Sequence, residues 1–569
     1  MDSYLSLALV AMVLAPVVGA VAVLAWPGDS LRTPRMVGLV ATLASLACAV
    51  AVMIGFRPEI ADVQMDGANF RWLGPWLPEV EIRIHLGLDG ISLWLVVLTA
   101  LLSVTAVLVS WEAVRERTRG FYCLLLLLES GMLGVFAALD IVLFYIFFEF
   151  TLIPLFFLIG IWGGSERRLA ARKFFIYTLA GSVLTLLSLI YVVAAYHTQT
   201  AAAGHAELTF SIPVLTKNLH LTPAEQWWVF VGLMAGFSIK VPLFPFHTWL
   251  PLAHVEAPTA GSVVLAGVLL KIGTYGFLRF NLTLAPDAAR HFLGLVSVLA
   301  VVGIIYGALT ALAQSDIKKL VAYSSVSHLG FCMLGLFAIP ATLDPAGVNV
   351  HVIGITGGLM QMVNHGLSTG ALFALVGMLY ERYHTREIRA FGGLARKLPV
   401  LAFFFVVVTL SSIGLPGLNG FVGEFLVLLA AFQVNTTYAV LAATGIILGA
   451  FYMLWLVQRV FFGPLREPHH EGGEVADLDR REVAALVPIV VACLWIGLYP
   501  NYFMSRMEPA VRDVAQRPVS YKTQRTARVE GVESSSPQSS PAIVARNAGG
   551  STTRSQPPVA SAAEAKSGD

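Results

Sequence analysis

The sequence predicts an all-α polytopic membrane protein of about fourteen transmembrane helices. Three observations predict it. The 569 residues are 57% hydrophobic and 13% charged, with a mean hydropathy of +0.75, whereas soluble domains carry roughly 25% charge. Apolar runs recur at spanning length, and about 20 residues cross the hydrocarbon. Basic residues alternate in density from one connection to the next, as they do when successive loops lie on opposite sides of a membrane.

In chain order the apolar segments lie at 5–26, 37–55, 90–111, 121–138, 141–161, 174–196, 227–246, 259–280, 291–312, 321–340, 350–379, 399–429, 436–461 and 483–504. They are continuous rather than alternating ten-residue stretches, which excludes a β-barrel. The first is long enough to span and reads as a retained helix rather than a removed signal. The fourth and fifth are joined only by Leu139 and Asp140, with Asp140 as a turn or cap residue. The connection 56–89 is mixed and carries Asp62, Asp66, Glu79 and Glu81. The alternation from Glu81 to Leu86 suggests a short exposed strand, and Trp72 and Trp76 fit an interfacial belt. From about 515 to 569 the Ser, Pro, Ala and Arg-rich composition predicts a disordered tail. Cys48, Cys123, Cys332 and Cys493 lie in apolar runs outside any CxxC, which argues against disulfides and iron–sulfur ligation.

The basic residues orient the chain. Twenty fall in the odd connections: Arg32 and Arg35, then the clusters at 115–119, 167–173, 318–319, 382–397 and 459–481. Six fall in the even ones: Arg57, Arg71, Arg83, Lys217, Arg279 and Arg290. The odd loops are therefore expected in the cytoplasm and both termini outside, although Arg506 and Arg512 point weakly the other way.

Two segments carry internal breaks. One is Lys240–Val241–Pro242–Leu243–Phe244–Pro245, in the seventh segment. The other runs from Ile413 through Gly414, Pro416 and Gly417 to Gly420, in the twelfth. Proline and glycine free backbone groups inside a membrane, and discontinuous helices tend to occur at matched places in two halves. Breaks five segments apart suggest two five-helix repeats, 121–280 and 291–461. An odd number of helices per repeat inverts the second copy. The first three helices (1–111) and the fourteenth (483–504) flank them.

Charge inside these segments is the functional signal, because an intramembrane ionisable group is costly unless paired or hydrated. Glu129 lies in the fourth segment, Glu149 in the fifth, Lys240 in the seventh and Lys271 in the eighth. His328, His365 and Glu424 follow in the tenth, eleventh and twelfth. Desolvation disfavours a lysine's charge and a nearby carboxylate restores it, so moving the carboxylate switches the lysine between holding and releasing a proton. Histidines relay protons near neutrality, with hydrogen-bonded water between them. Glu149 with Lys240 is the candidate switch, Lys271 the central carrier, His328 and His365 the bridge, and Glu424 the outlet. Each has a plainer reading as a helix-packing group, with more weight for Glu129 than for the lysines. His247 and His254, beside Trp249 and Pro251, are open between interfacial, structural and secondary proton-transfer roles. Asp316, Lys318 and Lys319 read as a solvated loop.

No dinucleotide fingerprint, Walker motif or metal-spaced His/Cys cluster is present. No nucleic-acid binding is expected. Proton traffic without a local energy source implies a partner that supplies one.

The run HTWLPLAHVEAPTAGSVVLAGVLLKIGTYGFLR (His247 to Arg279) resembles the antiporter-like subunits of the proton-pumping NADH–quinone oxidoreductase, respiratory complex I. SDIKKLVAYSSVSHLGF (Ser315 to Phe331), NHGLSTGALFALVG (Asn364 to Gly377) and GLPGLNGFVGEF (Gly414 to Phe425) are similar to further motifs of that family. The likeness is good over about 85–462. LPLAHVEAPTAGS (Leu250 to Ser262) and Glu424, where L and N relatives usually carry lysine, place it nearest the M branch, whose mitochondrial counterpart is subunit 4. So does the lack of the long lateral helix that ends L relatives. The resemblance implies fourteen helices in two inverted repeats, seated beside L and N relatives in lipid. It implies proton-transfer roles for Glu149, Lys240, Lys271, His328, His365 and Glu424. No cofactor is expected in this chain; FMN, iron–sulfur clusters, NADH and quinone belong to partner subunits. Two readings compete with a proton-translocating subunit: a subunit of a multisubunit sodium/proton antiporter, and a membrane-arm scaffold. A scaffold gains nothing from so many buried charges.

Overall fold

The computed structural model describes residues 2–26, 30–58, 72–77, 82–342, 344–468 and 475–534. The expectations drawn from sequence for Asp62, Asp66, Glu79 and Glu81, for the side chains of Trp72 and Trp76, and for the tail after 534 lie outside the described residues. Helices α1 (Asp2–Ala25) and α2 (Arg32–Gly55) lead into a hairpin. Its strands β1 (Trp72–Leu77) and β2 (Ile82–Leu86) pair antiparallel, with Trp72 opposite Leu86. The expected strand is therefore present, but its end is not exposed. His85 and Leu86 are buried, and Leu139 N–H donates to the His85 carbonyl.

Helices α3 (Leu93–Ala113), α4 (Thr118–Ala137), α5 (Ile141–Phe150) and α6 (Leu152–Trp162) follow. Asp140 caps α5, its carboxylate accepting from Val142 and Leu143 N–H. The fifth segment is broken at Thr151, which its apolar sequence did not announce. Pro154 donates no hydrogen bond to Phe150 and its ring crowds that carbonyl, while Thr151 Oγ donates to the Phe148 carbonyl. Then come α7 (Arg167–Ala202), α8 (Ile212–Asn218) and α9 (Pro223–Lys240). A Thr222/Glu225 capping box starts α9. It stops at the proline-rich break, and the short α10 (Leu250–Glu256) resumes the path.

The eighth segment runs from Thr259 to Leu284 as α11 (Thr259–Val264), α12 (Leu270–Gly276) and α13 (Leu282–Leu284), joined by π-turns at Leu265–Leu269 and Phe277–Asn281. The chain continues as α14 (Pro286–Leu312), α15 (Ile317–Leu336), α16 (Pro345–Tyr383), α17 (Pro399–Ser412), α18 (Asn419–Val434), α19 (Thr436–Phe461), α20 (Arg480–Leu498) and α21 (Pro500–Ser534). In the twelfth segment Gly414 and Gly417 take φ of 76° and 92° between α17 and α18, values that favour glycine.

Among the described residues eleven helices are long and apolar enough to cross a membrane. The seventh segment falls outside that class because Glu225, Gln226 and Lys240 make the 18 residues of α9 too polar. So does the tenth, α15, which carries Ser324, Ser325, Ser327 and His328 at mid-length. The twelfth is split into pieces of 14 and 16 residues. Two spans, Thr259–Leu284 and Pro345–Tyr383, are buried throughout their most apolar stretch, whereas α1, α2, α14, α19 and α20 bury less than half of theirs. Those two spans form the bundle's centre.

The expected irregular tail begins later than 515, because α21 stays helical to Ser534. The segment 510–534 holds a single proline, and the Ser/Pro-rich composition starts only at Ser534. Phe503, Met507, Val511, Val514 and Ala515 are buried at helical spacing, and Arg512–Glu508 and Arg517–Asp513 pair one turn apart on the other face.

Candidate functional site

Lys271 sits on the central span just after the π-turn at Leu265–Leu269, and its side chain is completely buried. A π-turn widens the helix and displaces its hydrogen-bond ladder. Here the Lys271 ammonium donates back to the Ala266 carbonyl and stands 2.6 Å from His365 Nδ1. Lysine only donates, so Nδ1 accepts and the ring proton belongs on Nε2.

Two glycines allow this meeting. A Cβ on Gly366 would lie 2.7 Å from the Gly267 carbonyl oxygen and 2.5 Å from Leu98 Cδ2. Only glycine lets α16 come this close to the eighth span, one turn before Lys271.

From His365 the polar line continues to His328 on α15, ring centres 5.7 Å apart. His328 Nδ1 donates to Glu424 Oε1 at 3.0 Å, and Gln361 Nε2 donates to the same oxygen at 2.9 Å. Nε2 of both histidines is buried without a protein partner. Glu424 lies in the second turn of α18, held in place by its broken start. Asn364 Nδ2 donates to the Asn419 carbonyl, Asn419 Nδ2 to the Asn364 carbonyl, and Ser411 Oγ to Asn419 Oδ1.

Glu149 and Lys240 form a second, looser cluster at two helix breaks. Lys240 is buried with its ammonium 4.8 Å above the Phe148 ring. The Glu149 charge reaches Lys240 through space. No ion pair within 4.0 Å joins them among the described contacts, and Glu149 Oε1 has no hydrogen-bond partner.

The secondary candidates separate. Glu129 is buried in α4 with neither carboxylate oxygen partnered, set against Ser45 of α2 rather than the lysine series. His247 and His254 are both buried inside the protein. His247 packs on Phe244 and Tyr306, and His254 stacks on Phe373 at 4.5 Å.

Sequence reasoning missed several residues. Gln361 was not singled out and Asn419 stood only within the twelfth-segment break, and packing shows what they hold. Lys318 is not a solvated loop residue: it is 6% exposed and donates to the Ala257 carbonyl at 2.6 Å. Asp316 caps α15 and pairs with Arg386 at 3.4 Å. Arg279, counted above among connection residues, is buried in the second π-turn and pairs with Asp89 at 2.7 Å, tying the eighth span to the start of α3. Among the described residues no three His, Cys, Asp or Glu side chains cluster as a metal site.

Comparison with known proteins bears on this geometry. Residues 138–449 match the family described as NADH:quinone oxidoreductase/Mrp antiporter, TM. The chain is 43% identical over 491 residues to NADH-quinone oxidoreductase subunit M of Rhodobacter capsulatus, an alignment covering 85% of this chain and 91% of that protein. A chain of respiratory complex I from Thermus thermophilus with bound NADH superposes with a TM-score of 0.77 at 33% identity, covering 90% of this chain and 99% of that one. A chain of the Mrp complex from Dietzia sp. DQ12-45-1b superposes at 0.73 with 21% identity, covering 92% and 99%, which is a likeness of fold alone.

Proposed function

This chain belongs to the NADH:quinone oxidoreductase/Mrp antiporter family, and on that premise we propose that it carries protons along the buried line from Lys271 to Glu424. It is a multi-pass membrane-arm subunit of NADH:quinone oxidoreductase and has a proton-translocating role in that complex. It acts beside other membrane-arm subunits, of which the antiporter-like L and N types are the expected neighbours. FMN, iron–sulfur clusters and the NADH and quinone sites belong to partner chains. Fourteen crossings in two inverted five-helix repeats, with the basic connections on the cytoplasmic side and both termini outside, complete the reading.

One observation carries it: Lys271, His365, His328 and Glu424 are consecutive neighbours in the interior of the bundle. Lys271 gives up a proton only when its charge is disfavoured, and the Glu149–Lys240 cluster is the lever. Separation of Glu149 from Lys240 leaves an uncompensated positive charge in low dielectric, which drives the next ammonium to release its proton. His365 takes it up, and a water between the two unpartnered Nε2 atoms passes it to His328 and Glu424.

The test is NADH-driven proton pumping in inverted membrane vesicles, comparing wild type with Lys271→Met after assembly of the complex is confirmed. Loss of pumping by the assembled variant is the expected result. Wild-type pumping would instead support the scaffold reading. The family description also covers Mrp antiporters, and co-purification of the chain with NADH-oxidising activity separates the sodium/proton antiporter alternative from the complex I reading.

A further inference from the structure

The end of the bundle that carries the basic connections opens into a cleft of about 630 Å³. Glu112, Trp162, Glu256, Glu381, Arg386 and Lys318 line it, together with Thr259 at the start of α11. Lys318 is the buried cation of this wall. Its ammonium donates to the Ala257 carbonyl at 2.6 Å and reaches the Val255 carbonyl at 3.5 Å. These carbonyls belong to the turn from which Pro258 starts α11.

The carboxylates whose charges reach Lys318 are engaged elsewhere. Asp316 pairs with Arg386, and Glu256 Oε2 accepts from Glu166 N–H. A buried lysine held only by neutral carbonyls keeps its charge poorly. Burial first, and then the Arg386 charge, push its ammonium down to about 7 against the opposing pull of Asp316 and Glu256.

Deeper in the same turn lies His254, fully buried, stacked on Phe373, with neither ring nitrogen partnered. The charges of Lys318 and of Lys271 both reach His254. An easily discharged lysine thus faces the cleft on one side and, through an unpartnered histidine, the central lysine on the other.

We propose that Lys318 is the loading lysine of the proton route, taking protons from the cleft and passing them by way of His254 toward Lys271. The step balances simply. One N–H bond at Lys318 Nζ breaks as one forms on the acceptor, through hydrogen-bonded water, and the neutral amine is recharged by a proton from cleft water. This deepens the proton-translocation reading and rests on it. Asp316, Arg386 and Glu256 set the field at Lys318, with Glu381 and His384 across the cleft.

Lys318→Arg separates a proton exchanger from a structural donor. Arginine keeps the charge and can reach the Val255 and Ala257 carbonyls, but it does not release a proton at working pH. In assembled complex, NADH-driven pumping per NADH oxidised is expected to fall several-fold in Lys318→Arg. Wild-type pumping is expected to show an inflection near pH 7 from Lys318, and that inflection should be absent from the variant. Wild-type pumping and an unchanged profile in the arginine variant would overturn the proposal, leaving Lys318 a structural tie. Lys271→Met, run in parallel, tells two failures apart. If it is impaired while Lys318→Arg is normal, only the loading role is wrong; if both pump normally, the translocation reading itself fails. Should Lys318→Arg not assemble, Thr259→Cys modified with a bulky thiol reagent from the cleft side tests the same route, with reagent-treated wild type as control. Pumping lost on modification supports the cleft as the entry, and pumping retained overturns it.

Discussion

The two broken-helix regions treat buried charge in opposite ways. At the first, Glu149 and Lys240 stand at separate breaks, linked through space and through the Phe148 ring rather than by a hydrogen bond. At the second, Glu424 accepts from two side chains at once, and the break beside it is cross-tied through Asn364, Asn419 and Ser411. A loosely coupled pair can change its separation at little cost, because no hydrogen bond must break. A carboxylate held by two donors stays where it is and can change only its protonation. The first region therefore suits an input that moves, and the second an outlet that waits.

The largest expected effect breaks this contrast at its moving side. Lys240→Ala and Glu149→Gln each remove one partner of the switch, and each is expected to lower pumping by about 10²-fold, the lower range for loss of a positioned proton-transfer group. The sharper result is the double variant. Two residues that act as one unit give a double effect no larger than either single one. If the losses multiply instead, Glu149 and Lys240 act independently and the switch is wrong. Pumping rates of the three assembled variants decide it.

The contrast also explains what the sequence could and could not disclose. Intramembrane charge is so costly that Glu149, Lys240, Lys271 and Glu424 stood out from composition alone, and proline and glycine marked the two breaks beside them. The break at Thr151 was hidden, because Pro154 lies in an otherwise unbroken apolar run whose hydropathy is unaffected by backbone geometry. The π-turn before Lys271 has no periodicity of its own. Lys318 was misread for the opposite reason: beside Asp316 and Lys319 it looks like a solvated cluster, and only the fold turns it inward. The amphipathic spacing of Phe503, Met507, Val511 and Val514 was legible but was masked by the later Ser/Pro-rich composition.

A smaller loss is expected at the waiting side from Glu424→Gln. The amide keeps an acceptor oxygen for Gln361 and His328, so the cross-tied geometry survives while the proton-binding charge is removed. Pumping should fall about tenfold, at the weaker end of what one relay group contributes among several. Thermal stability of the assembled complex should stay within about 0.5 kcal/mol of wild type, as for a change that leaves its contacts intact. A large loss of stability would mean that the Glu424 charge, not its hydrogen bonds, holds the break closed.

Gln361→Leu sharpens the comparison with the smallest functional change. It leaves Glu424 with His328 as its side-chain donor, and losing one hydrogen bond to a charged group costs about 1.5–3 kcal/mol. If the second region is clamped by its donors, this variant should lower the thermal stability of the assembled complex while retaining most of its pumping, because the Lys271–His365–His328–Glu424 line is intact. That is the reverse of Glu149→Gln, which should spare stability while lowering pumping about 10²-fold, since Glu149 Oε1 has no hydrogen bond to lose. The pair of measurements tests the contrast directly. If both variants lose stability and pumping in the same proportion, the two regions are equally clamped, and the input must be sought at a different place in the bundle.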